Sequence, residues 1–136
     1  MPENYRLYTK HHQQLLDHLM MQLPDALGSI CTEEQKEQQL EQLQHVKQTL
    51  ADHLEESRYL GQQWLFSFIG NYPQLTPMVP RDLLWFFGGE CLHFMPDEEI
   101  SKYQRLEDIL AKAEHNKRDM SWIEARRLVF NQGTSG

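Results

Sequence analysis

The sequence predicts an all-α protein, a compact single-domain bundle of about five to seven helices around one buried helix at about residues 80–94. Three observations lead there. Apolar residues recur at three-and-four spacing along most of the chain, and two stretches carry the pattern that caps a helix start. Nothing alternates with period two for long enough to make a strand. The stretch Pro80-Arg-Asp-Leu-Leu-Trp-Phe-Phe-Gly-Gly-Glu-Cys-Leu-His-Phe-Met95, laid on a helix, is apolar on every face, so it belongs inside the fold with amphipathic neighbours around it.

The length of 136 residues and a hydrophobic fraction of 40% suit one domain, residues 1–130, followed by a disordered tail at 131–136. Twenty acidic residues stand against 13 basic ones, for a net charge of −7. So acidic a chain lacks the lysine and arginine that neutralise phosphates, which argues against nucleic acid and against an anionic membrane surface as partners. The N-terminus has no apolar targeting segment, and no run approaches the roughly 18 apolar residues of a membrane span. Cys31 and Cys91 are too few for a disulfide framework. A cytoplasmic protein with reduced thiols is the expectation.

The first helix carries Tyr5, Tyr8, Leu15, Leu16, Leu19, Met20 and Leu23, with a gap at His12, and is expected to end near Pro24 in a turn through Gly28. His11, His12 and His18 read as a solvated face. Thr32-Glu-Glu-Gln35 is a capping box opening a helix with the stripe Leu40, Leu43, Val46, Leu50, Leu54, close to a heptad seam but only about two heptads long. Tyr59 to Gly70 is apolar on most faces and reads as a second buried helix. Either it continues the Thr32 helix or it follows a break near Ser57. Pro73, Pro77 and Pro80 space an extended connector from Tyr72 to Val79.

Pro80 suits the first turn of the central helix. Gly88-Gly89 either stops that helix after Phe87 or admits a close neighbour within a continuous one; a continuous or kinked helix is the expectation. Met95-Pro96 breaks the chain, and Asp97, Glu98 and Glu99 then begin a helix with the stripe Ile100, Tyr103, Leu106, Ile109, Leu110, Ala113. After a polar loop from Glu114 to Asp119, Ser121-Trp-Ile-Glu124 is a second capping box, opening a short helix that offers Trp122, Ile123, Val129 and Phe130 to the core.

Residues 72–100, Tyr72-Pro73-Gln-Leu-Thr-Pro77 through Pro80-Arg-Asp-Leu-Leu-Trp-Phe-Phe-Gly-Gly-Glu-Cys-Leu-His-Phe-Met-Pro-Asp-Glu-Glu-Ile100, resemble a small family of uncharacterised gammaproteobacterial proteins similar to the PA2817-like group. The resemblance implies a bacterial cytoplasmic protein of one compact domain. It brings no activity, cofactor or catalytic residue.

Candidate chemistry therefore rests on the residues of the central stretch: Arg81, Asp82, Trp85, Gly88, Gly89, Glu90, Cys91 and His93. Glu90-x-x-His93 has the spacing by which one helix of a di-iron bundle presents two ligands, yet no second Glu-x-x-His exists to complete such a site. A mononuclear zinc or iron set from Glu90, His93 and Asp97 or Cys91 is the metal alternative. The simpler expectation is no cofactor, with Glu90 and His93 a buried polar pair bonded to the connector or to Arg81. Cys91 and His93, two apart on a helix, point away from each other and make no nucleophile pair. No catalytic serine motif and no phosphate-binding loop appears. Trp64, Phe66, Phe68, Trp85, Phe86 and Phe87 either line an apolar pocket or fill the core, core being the commoner use.

Without a complete catalytic set, the expectation is a non-enzymatic helical domain that works by protein–protein interaction, as a homodimer, with the Leu40–Leu50 seam and the first helix as the contact. The alternative is a small metal- or ligand-binding helical protein centred on Glu90 and His93.

Overall fold

The computed structural model describes residues 3–88, 92 and 95–131. Among them the regular structure is helical, and no strand occurs. The elements are α1 (Glu3–Leu27), α2 (Glu33–Leu50), α3 (Leu54–Asn71), a 3₁₀ helix (Pro73–Met78), α4 (Arg81–Phe87), α5 (Asp97–His115), α6 (Trp122–Arg126) and a π-helical turn (Arg127–Asn131). The all-α class is the one the sequence predicts. The chain divides into two compact units, residues 12–94 and residues 1–11 with 95–136.

In the unit of residues 12–94, α1 buries His12, Leu16, Leu19, Leu23 and Leu27 at steps of four, three, four and four. That stripe corrects the view of His12 as solvated. Its ring packs 5.0 Å from that of Phe86 and fills the gap in the apolar spacing. His18 is exposed, as expected. α1 also runs past Pro24 to Leu27 instead of ending near it. A proline in the last turn forfeits one hydrogen bond, and the helix closes beyond it when Gly28, at φ 49°, donates to the Pro24 carbonyl at 3.0 Å.

The capping box forms as predicted. The Gln35 amide donates to Thr32 Oγ1 at 3.1 Å and the Thr32 amide to Gln35 Oε1 at 2.9 Å. Leu43, Val46 and Leu50 of α2 are buried within the chain. The break that the sequence left open falls at Ala51–His53, ahead of Ser57, where the His53 amide turns back to Thr49 O at 2.7 Å. α3 then packs antiparallel on α2 in a fixed register. Ser57 Oγ donates to Val46 O at 2.8 Å, and the Trp64 indole N–H donates to Gln39 Oε1 at 2.7 Å, two ties seven residues apart on each helix. Only one face of α3 is buried: Ser57, Gly61, Trp64, Leu65 and Phe68. Tyr59 and Phe66 are exposed, which corrects the expectation of a second buried helix apolar on most faces.

The connector is also corrected. Pro73–Met78 is a 3₁₀ helix and not extended chain, closed by Leu75 N–H to Tyr72 O at 2.9 Å and Val79 N–H to Thr76 O at 3.1 Å. Proline's fixed φ suits this tight helix as well as an extended chain, and Pro73 stands at its first position, where no N–H is needed.

α4 is seven residues long and stops at Phe87, so the continuous central helix to about residue 94 is not formed. The reason lies at Gly88, whose φ of 66° and ψ of −152° belong to a region that only glycine occupies readily. Its amide still closes the last turn on Leu84 O at 3.1 Å. Leu83, Leu84, Phe86 and Phe87 are buried, whereas Trp85 is only half-buried. Full burial of the stretch therefore fails at Trp85.

The second unit centres on α5, which starts after Pro96 with Asp97, Glu98 and Glu99 in its first turn as predicted. Tyr103, Leu106 and Ala113 are its buried face. Trp122 of α6 sits between Tyr8, edge-on at 5.4 Å, and Tyr103, stacked at 6.3 Å. Ser121 Oγ accepts from the Glu124 amide at 3.1 Å, the cap expected there. Val129 is buried and Phe130 half-buried, but Ile123 is 43% exposed and contributes no core. Of the tail predicted at 131–136, Asn131 belongs instead to the π-helical turn, and residues 132–136 lie outside the described residues.

Candidate functional site

Of the residues singled out in the sequence, Arg81 and Trp85 are half-buried on α4, and Asp82 is 5% exposed in its first turn. None of the three side chains is left free. Gly88 terminates α4. Gly89, Glu90, Cys91 and His93 lie outside the described residues, and with them both the metal set and the buried-pair alternative. Asp97 is exposed at the start of α5. Among the described residues no three His, Cys, Asp or Glu side chains gather as a metal would require.

The aromatic stripe divides. Trp64 and Phe68 stack at 4.8 Å and Phe86 and Phe87 pack at 5.7 Å, all four in the core. Phe66 points away from them, 43% exposed. It shares the outward face of α3 with Tyr59, Gln63 and Gly70, which fall within about 60° of the helix circumference, opposite the buried arc. Gln63 Nε2 donates to the Tyr59 hydroxyl at 2.6 Å, laying the phenol along the stripe. At Gly70 a β-carbon would meet nothing within 4 Å. From Tyr59 to Asn71 there is no charged residue, in a chain that is 24% charged.

Beside this stripe, between α2 and α3, runs a groove of about 250 Å³ lined by Gln42, His45, Leu60, Gln63, Trp64 and Ser67. Gln39 fixes the Trp64 indole that forms part of it. The groove offers amides, one imidazole and apolar walls, a lining for side chains rather than for phosphate or a metal ion. Sequence reading missed this face by grouping Phe66 with Trp64 and Phe68. The signal was present: at helical spacing Phe66 falls with Tyr59 and Gly70, about 160° from Phe68.

Further along the same unit, Cys31 is a free, half-buried thiol. It lies against Tyr72, whose phenol is raised above its ordinary 10.0 by burial first, then by the charge of Cys31 and a hydrogen bond to it.

A family model described as PA2817-like matches residues 4–135, nearly the whole chain. The chain belongs to the PA2817-like family. The match extends well beyond the stretch at 72–100 on which the sequence resemblance rests, to α1, α2 and the C-terminal helices. No curated protein and no solved structure matches the chain. No described helix of this PA2817-like protein is long and apolar enough to cross a membrane.

Proposed function

We propose that this PA2817-like chain is a non-enzymatic cytoplasmic helical domain that acts by binding protein, and that its partner is a second copy of itself. The observation that carries the reading is the outward face of α3, with Tyr59 58% and Phe66 43% exposed and no charge from Tyr59 to Asn71. Interface cores are depleted in charge and enriched in tyrosine and phenylalanine, whereas a solvated helix face carries lysine and glutamate. The free thiol at Cys31 is in keeping with a reducing compartment.

The contact differs from the one the sequence suggested. Leu43, Val46 and Leu50 are spent on the chain's own core, which leaves only the half-buried Leu40 of that seam part-exposed. Sedimentation velocity at micromolar concentration tests the proposal. A dimer that Phe66→Asp converts to monomer is expected, and a clean monomer in the unmodified protein would remove it.

A further inference from the structure

We draw no further inference here: the strongest candidate, the groove between α2 and α3 lined by Gln42, His45, Gln63 and Ser67, borders the uncharged outward face of α3, and nothing in the structure shows what covers either.

Discussion

The ring of Phe87 lies over Gly61 so closely that a β-carbon on Gly61 would come 2.2 Å from Cε1 and 2.3 Å from Cδ1. The next residue along α3 adds a bond: Gln62 Nε2 donates to the Phe87 carbonyl at 2.5 Å. The end of α4 is thereby seated on α3 by a missing side chain and one hydrogen bond. Glycine at position 61 is there for contact, since its neighbours are helical and its φ is ordinary.

Gly61→Ala is accordingly expected to destabilise by about 1–3 kcal/mol, the usual cost of overpacking a core against a ring that cannot retreat. Gly70→Ala, on the same helix with open space at its Cβ, should be neutral or stabilising by up to about 1 kcal/mol. Denaturant titration at a concentration that keeps the protein monomeric reads both. Equal effects at the two glycines would contradict the close approach of Phe87.

Two neighbours on α4 should behave differently. Phe86 is buried against His12, Phe87 and the Arg58 guanidinium, which lies 5.3 Å above its ring. Phe86→Ala should cost about 3–5 kcal/mol, the range for deleting a buried large aromatic. Trp85, half-buried, should lose less on truncation to alanine. A reversal of that order in thermal melts would mean that α4 is rotated about its axis.

Helix capping and core stripes were the legible part of this sequence, because they are local. Thr32 and Gln35 satisfy each other within one turn, and Leu43, Val46 and Leu50 declare their common face by spacing alone. What was not legible depended on partners far along the chain. His12 is inside because Phe86, 74 positions later, closes over it. The stop at Gly88 was one of two readings, and the backbone angles decided it. At the candidate site the sequence pointed to Glu90 and His93 through residue type, whereas the face of α3 is marked by what it lacks. An absence of charge becomes visible only once burial has removed Trp64, Leu65 and Phe68 from the same run.

The capping box itself is open to measurement. Thr32→Ala removes the acceptor for the Gln35 amide and releases the return bond from Gln35. A loss of about 1 kcal/mol in stability is expected, with Thr32→Asn largely restoring it. No change in the denaturation midpoint would mean that the start of α2 frays independently of the fold.

Alkaline pH probes the Cys31–Tyr72 contact. Burial, then the Cys31 charge and hydrogen bond, raise the Tyr72 phenol, so the folded protein holds that proton to higher pH than the unfolded chain. The associated stability is present in full below about pH 10 and declines as pH rises from there through the folded value. Tyr72→Phe should flatten that decline in melts taken across the alkaline range. An equally steep decline in the variant would assign it to other groups.

The most direct measurement of the central claim is a dilution series followed by amide NMR on the full chain. If the outward face of α3 is the self-association surface, concentration-dependent shifts will gather on Tyr59, Gln63, Phe66 and Gly70 and on the groove residues Gln42 and His45. Tyr103 and Trp122, buried in the other unit, should stay in place. Shifts confined to residues 97–131, or a spectrum that does not respond to concentration, would contradict it.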